Sequence, residues 1–355
     1  MTVALERPSA PPPAEPEAPA SHSLAELVFR FRELGIVLAL VFVVAVTAIN
    51  NSNFVSKTSL QQIVEAAAII GLLAIGETMV IVTRNVDLSV GSVLGISAYA
   101  AGLLFERHPD IPIAVVMLAG LGIGATCGII NGAIVTIARV PSLVVTLGTL
   151  YVIRGIDGAW AGGHQVGAFS LPDSFNKIGY GTFLWIPYLG WILIGAVAVA
   201  AYWMRSFRTG RDLYAIGSNP EAARLAGVPV GSRVFLAFVL SGSIAGVTGV
   251  LWLSKYGSVD AIAGKGYEFQ VIAAVVVGGV AIFGGSGTVV GAALGALLLN
   301  TIDNALVVIN FGGVTISSSW TAAIAGALLL GAIAFDRLIS IRVAPSLSTR
   351  RRRRG

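Results

Sequence analysis

Charge is scarce in this chain: Asp, Glu, Lys and Arg make up only 12% of its 355 residues, against 55% apolar. Soluble domains carry about 25% charge, so the usual water-facing surface cannot be built here. The apolar runs must face lipid or one another, and a mean hydropathy of +0.85 agrees. Cysteine is absent except for Cys127, which excludes a disulfide within the chain. The three histidines, His22, His108 and His164, fall in tails or loops, which leaves no histidine-based metal or catalytic centre within a membrane. No glycine-rich phosphate loop ending in Gly-Lys-Ser/Thr occurs, so this chain is expected to hydrolyse no ATP and to carry no cofactor of its own. Residues 1–23 lack the compact apolar core and cleavage site of a secretory signal. Their prolines (Pro11 to Pro13, Pro16, Pro19) predict a disordered tail reaching to about residue 33. A net charge of +5 is no sign of nucleic-acid binding, because the basic residues are scattered over loops and are densest at Arg350 to Arg354.

What fills the chain is a series of apolar runs. A hydrocarbon core of roughly 30 Å needs about 20 residues of helix, and runs of that order occur near 34–50, 60–83, 90–105, 111–138, 142–160, 184–204, 233–254, 267–283, 287–309 and 318–337. The reading is an all-α membrane protein of about ten transmembrane helices, with a transmembrane domain over 34–338 and a basic tail over 339–355. The third, fifth and eighth runs are short or interrupted by glycine, as broken helices are where protein or a water cavity surrounds the exposed backbone. Charge sets the orientation. With both ends cytoplasmic, 17 of the 23 basic residues fall inside, as the positive-inside rule requires. The longer connections are then an extracytoplasmic one, 161–183, and a cytoplasmic one, 205–232.

The cytoplasmic connection carries a helix signal. Asn219 suits an N-cap, Pro220 the first helical position and Glu221 the positive helix end. Ala222, Ala223, Arg224, Leu225 and Ala226 continue, and Gly227 stops the helix with Pro229 beyond. A two-turn helix over 220–226 is expected outside the membrane. It is either a plain connector or an apolar face that inserts into a groove of a partner.

Three stretches together resemble a known family. They are Thr83-Arg84-Asn85-Val86-Asp87-Leu88-Ser89-Val90-Gly91-Ser92, then Gly217 through Gly227, then Ile272 through Gly279 with Phe283 through Gly291. In this order they are similar to the permease subunits of bacterial ABC-type carbohydrate importers, the ribose, xylose and rhamnose group. The resemblance implies a substrate pathway for a sugar in the cell membrane. It also implies an ABC ATPase subunit that binds ATP and Mg on the cytoplasmic side and docks on the 217–227 loop, an extracytoplasmic sugar-binding protein, and a second permease subunit, identical or not. Ribose-type permeases usually have Gly-Gly where this chain has Arg84-Asn85, which looks more like the rhamnose and autoinducer-2 branch; rhamnose is the expectation. The rival class is a self-sufficient secondary transporter or channel, which would need no ATPase dock.

Polar residues inside apolar runs default to functional candidates. Asn85, Asp87, Ser89 and Ser92 either bind sugar hydroxyls or cap the third helix, and Asp87 either forms a local ion pair with Arg84 or serves a gate. Glu77 lies deep in the second run. Glu65, 12 residues earlier, is on another face. Asn300, Asp303 and Asn304, at i, i+3 and i+4, form one stripe that either lines the path or bonds a neighbouring helix. Arg154 and Asp157, at i and i+3, are expected to pair, and Glu268 to sit in the outer interface. The topology is open to direct test. Cysteines placed at Ser218 and at Gly167 in a chain lacking Cys127 are expected to react with impermeant maleimide from opposite sides, Ser218 from the cytoplasm. Labelling of both from one side would reject it.

Overall fold

A computed structural model describes residues 32–308 and, nearer the C-terminus, the helical positions 323, 326, 327, 330 and 331. The expected N-terminal and C-terminal tails and most of the tenth run lie outside the described residues. The elements are α1 (Arg32–Asn50), α2 (Lys57–Val82), α3 (Val90–Arg107), α4 (Ile113–Thr136), α5 (Ser142–Ala161), α6 (Asp173–Tyr180), a ribbon of β1 (Thr182–Phe183) and β2 (Ile186–Pro187), α7 (Tyr188–Ser206), α8 (Arg208–Ser218), α9 (Pro220–Leu225), α10 (Val230–Tyr256), α11 (Tyr267–Val277) and α12 (Val289–Val308). The chain is an all-α membrane protein, and seven of these helices, α1, α2, α4, α5, α7, α10 and α12, are long and apolar enough to cross a bilayer. Proline stands immediately before α4, α5, α6, α7 and α10. There its fixed φ leads into the helix and its missing N–H removes no helical bond.

The middle of the bundle is α2 and α10. In the membrane-length part of α2, 83% of residues are buried, and in α10 61%, against 11–28% for α1, α4, α5 and α7, which turn apolar faces outward. The largest helix contact is α4 on α10, and glycine makes it possible. A Cβ at Gly120, Gly124 or Gly128 of α4 would collide with a backbone carbonyl of α10, at Gly246, Gly242 and Phe238 in turn. With hydrogen there instead, the two backbones touch along three turns, the small-residue packing by which helices associate without a hydrophobic driving force. Gly291 and Gly295 of α12 do the same against Gly278 and Ala274 at the end of α11. α1 is peripheral. It packs on α12, and Thr288 donates to Glu33 at its start (2.7 Å).

Both central helices are followed by chain that turns back into the bundle. After α2, residues 83–89 return far enough for the Asp87 N–H to reach Glu77. After α10, residues 257–266 run back along α3, passing Gly102 with Val259, Gly95 with Ala263 and Gly91 with Gly264. Irregular backbone at membrane depth is tolerated only when protein satisfies it. Val166 and Val259 exchange both backbone bonds at 3.0 Å.

The helix in the eighth run, read as 267–283, ends at Val277. At 11 residues it rises about 16 Å, half a bilayer. The stop is glycine: Gly279, Gly284, Gly285 and Gly287 all take positive φ, where a helix cannot continue. The connection at 161–183 is more than a loop. It contains α6 and part of the ribbon, buries Phe175 against Phe105 (ring centroids 4.6 Å apart) and lays Gly179 against the Ser254 carbonyl. It therefore covers the C-terminal ends of α3 and α10.

The glycine contact yields a paired test. Gly124→Ala must push α4 from α10, whereas Gly122→Ala points into open space with nothing within 4 Å. Overpacking of this kind costs about 1–3 kcal/mol, so Gly124→Ala is expected to melt several degrees lower in detergent, with Gly122→Ala unchanged. Equal melting would show that the two helices need no such closeness.

Candidate functional site

The turn at 83–89 is where the sequence candidates meet. α2 ends with Thr83 as C-cap and Arg84 next, at φ 67°. The Arg84 N–H donates to the Ile81 carbonyl (2.9 Å) and the Asn85 N–H to Val80 (3.3 Å). This is the double bond of a Schellman stop, at whose left-handed position glycine is usual. The remaining terminal carbonyls are also met: Val82 by the Gly285 N–H (2.9 Å) and Thr83 by the Asn85 side-chain amide (3.1 Å). Asn85 therefore completes a helix end and stays out of the buried cluster.

Beyond Asn85 the chain dives inward. Fully buried Glu77 accepts the Asp87 N–H through Oε1 (3.0 Å). Asp87 Oδ1 accepts the Ser89 N–H (3.0 Å) and its hydroxyl (2.6 Å), and Ser89 Oγ accepts from Asn131 Nδ2 of α4 (2.8 Å). Ser92 donates to the Ser89 carbonyl (2.8 Å). The turn is also held by α5, where Ser142 Oγ accepts the Val86 N–H (3.2 Å) and Thr146 donates to the Val86 carbonyl (3.2 Å). Glu77 Oε2 and Asn131 Oδ1 are buried without a hydrogen-bond partner, and Ser241 of α10 turns its hydroxyl to Asp87. The structure thus joins Glu77, Asp87, Ser89 and Ser92 and adds Asn131. A lone amide inside the apolar fourth run was the one available signal for Asn131.

Two local expectations fail here. Ser89 does not cap α3 with its side chain: its oxygen accepts from Asn131 instead, and its hydroxyl hydrogen goes to Asp87. Asp87 does not pair with Arg84, whose guanidinium turns the other way, Nε to the Gly217 carbonyl (2.5 Å) and Nη2 to Ser218 (2.7 Å) at the end of α8.

The other membrane candidates lie apart. Asn300, Asp303 and Asn304 form a half-buried stripe on α12, and the two amides donate to carbonyls one turn back on their own helix, Ala296 (2.8 Å) and Asn300 (2.9 Å). No hydrogen bond links them to the Glu77–Asp87 cluster. Arg154 and Asp157 are near enough for their charges to act on each other, but they share no hydrogen bond: Arg154 Nη1 donates to the Ala263 carbonyl of the returning segment, a tertiary partner that the i, i+3 spacing cannot reveal. Both Asp157 oxygens are left buried without a partner. Glu268 is likewise buried in protein instead of solvated, with Oε2 unpartnered beside the space that Gly91 leaves. A cleft of about 600 Å³ between α2, α7 and α10, lined mainly by apolar side chains such as Leu72, Ile192, Val199, Trp203, Leu240 and Leu251 together with the hydroxyl residues Ser243 and Thr248, contains none of these groups.

In the 205–232 connection α9 forms as expected, Pro220–Leu225. Asn219 accepts the Glu221 and Ala222 N–H groups (3.1 and 3.0 Å), and Gly227 takes the left-handed stop at φ 79°. Ala223 is buried against the bundle while Leu225 is 90% exposed. Glu221 and Arg224 lie 3.8 Å apart in solvent, where such a pair contributes little. The helix before it, α8, was not anticipated, since Gly210 and its polar residues disguise it. It is fixed by buried Asp212 accepting from Arg233 (2.8 Å) and by the Tyr214 hydroxyl donating to the Gly287 carbonyl (2.9 Å).

A family model described as the permease component of the branched-chain amino acid transport system matches residues 59–333. The chain belongs to this permease family. The permease is also 37% identical over 305 residues to the autoinducer 2 import system permease protein LsrC of Salmonella typhimurium, covering 86% of this chain and 85% of that one. The corresponding protein of Escherichia coli O157:H7 is 35% identical over 322 residues, covering 91% of each. No solved structure matches significantly. Family and apolar helices together make the permease a multi-pass protein of the cell membrane.

The cluster predicts its own energetics. Asp87→Ala strands the Ser89 N–H and hydroxyl, each costing about 1–3 kcal/mol when buried and unmet. It is expected to lower the melting temperature more than Ser89→Ala, and the double variant less than the sum of the two. Strict additivity in thermal unfolding would mean that the two side chains do not act together.

Proposed function

We propose that the permease is the membrane-spanning subunit of an ATP-driven, binding-protein-dependent importer, and that its cargo is autoinducer 2. The observation that carries this reading is the similarity to autoinducer 2 import permeases over 86% of the chain. Rhamnose, the first expectation, gives way. The Arg84-Asn85 pair suited either branch, and the relatives at this level of identity carry the autoinducer 2 name. In this reading ten spans place both termini in the cytoplasm, ATP and Mg bind to a separate ATPase, a soluble binding protein delivers cargo from outside, and a second permease subunit completes the pore. The Asn300, Asp303 and Asn304 stripe is the candidate lining, while the closed Glu77–Asp87–Ser89 cluster holds the turn that gates it. A self-sufficient carrier or channel is the second reading. Against it stands Leu225, a large apolar side chain held out in the cytoplasm on a capped helix, which suits a groove in a partner.

Uptake assays in cells expressing the permease with its ATPase and binding protein should show accumulation of autoinducer 2 in preference to rhamnose, ribose or branched-chain amino acids. Leu225→Asp puts a carboxylate into the apolar part of the dock, which is costly unless it finds a partner. The variant is expected to insert normally and to lose most ATPase in pull-down together with uptake. Glu221→Arg, at the positive helix end, should lose less, about 0.3–1 kcal/mol of helix stability. Full ATPase binding and full uptake by Leu225→Asp would reduce α9 to a connector.

A further inference from the structure

Arg84 stands where a glycine is the natural choice. It is the left-handed residue of the stop that ends α2, a conformation strained for any residue with a Cβ. The strain is offset by the reach of its side chain. The guanidinium gives Nε to the Gly217 carbonyl and Nη2 to the Ser218 carbonyl, two of the last carbonyls of α8, which have no partner within the helix. A cation at that end also suits the helix dipole. The next residue, Asn219, caps α9. One side chain therefore bonds the end of a central membrane helix to the segment that carries the dock.

The surrounding backbone is built around this joint. A Cβ at Gly217 would collide with the Val82 carbonyl and the Gly285 N–H, one at Gly284 with the Arg84 side chain, and one at Gly285 with the Ser218 N–H. Three turns, after α2, after α8 and after α11, thus meet backbone to backbone, with the Arg84 side chain reaching across them. Three residues beyond Arg84, Asp87 anchors the same turn in the buried cluster with Glu77, Ser89 and Asn131. The turn has an outer anchor on α8 and an inner anchor on the bundle.

We propose that Arg84 is a positioning residue that transmits movement of the ATPase dock, α8 and α9, to the 83–89 turn and its buried cluster. The proposal rests on the importer reading above. It assigns a task to the residue pair by which this chain departs from the Gly-Gly of ribose-type permeases. A glycine at 84 would satisfy the backbone and keep the apolar packing of Leu213 and Ile216 in the core they share with α2, but would remove the side-chain hydrogen bonds from the end of α2 to α8, so coupling would loosen while folding would not.

The test uses the full complex of permease, ATPase and binding protein in proteoliposomes, with Arg84→Gly, Arg84→Gln and Arg84→Lys beside wild type. Two quantities are read: cargo moved per ATP hydrolysed, and the change in maleimide labelling of Cys127 when ATP is added. Cys127 is the single cysteine and lies half-buried on α4, one turn from Asn131. Arg84→Gly should melt no lower than wild type and keep the ATPase bound. It should move at least tenfold less cargo per ATP and lose the ATP-dependent change at Cys127. Arg84→Gln, which keeps length without charge, should fall in the same direction, and Arg84→Lys, able to reach one carbonyl, between. A wild-type ratio and a wild-type Cys127 response in the glycine and glutamine variants would overturn the proposal. So would loss of ATPase binding in both, since Arg84 would then shape the dock itself. Absence of ATP-dependent uptake by wild type would instead sink the importer reading, and the Cys127 response would still report whether Arg84 links dock and turn.

Discussion

A peptide group in hydrocarbon has no water to turn to, so every irregular stretch of this chain at membrane depth must find its partners in protein. That constraint explains features that look unrelated. The 83–89 turn draws donors and acceptors from α2, α4 and α5. The returning segment at 257–266 takes a bridge from Val166 and a guanidinium from Arg154. The glycine turn after α11 gives its Gly285 N–H to α2. Polar residues in the apolar runs therefore serve first to let the backbone leave the helix where the fold needs it to.

Close packing is the second half of the same economy. Lipid tails are as apolar as leucine, so burying leucine gains little and helices are held by fit. α4 and α10 reach backbone contact because three successive turns of α4 present hydrogen to α10. Elsewhere the glycines make room for other groups. Gly91 and Gly95 leave the space into which Glu268 and Arg154 extend, and Gly217, Gly284 and Gly285 bring the turns after α8, α2 and α11 together.

Much of this was legible in the sequence. Bilayer thickness fixes the length of an apolar run, so most spans could be read within a few residues. The short helix α9 announces itself through Asn219, Pro220 and Gly227, whose roles are local. What escaped depends on tertiary partners. The i, i+3 spacing of Arg154 and Asp157 suggested a pair, but the carbonyl of Ala263, more than a hundred residues on, takes the guanidinium. Arg84 sits three residues from Asp87 yet turns to α8, because the left-handed backbone aims it there. Asn131 was passed over because a single amide in a long apolar run has no pattern, and α8 because an interior glycine hides its periodicity. The eighth run was read too long because hydropathy does not register a change of φ at Gly279.

The peripheral place of α1 has a consequence for how the protein is made. Its chief neighbour is α12, and the Glu33–Thr288 bond closes a separation of 255 residues. At roughly 5–20 residues per second a ribosome needs about 13–50 s to cover that distance, and throughout that interval α1 stands in the bilayer without its partner. Its sequence suits the wait: Leu34, Leu38, Val41, Phe42 and Ile49 still face outward in the finished fold. α1 thus settles against its chief neighbour only once α12 has been made, and until then the face that will meet α12 is left to lipid.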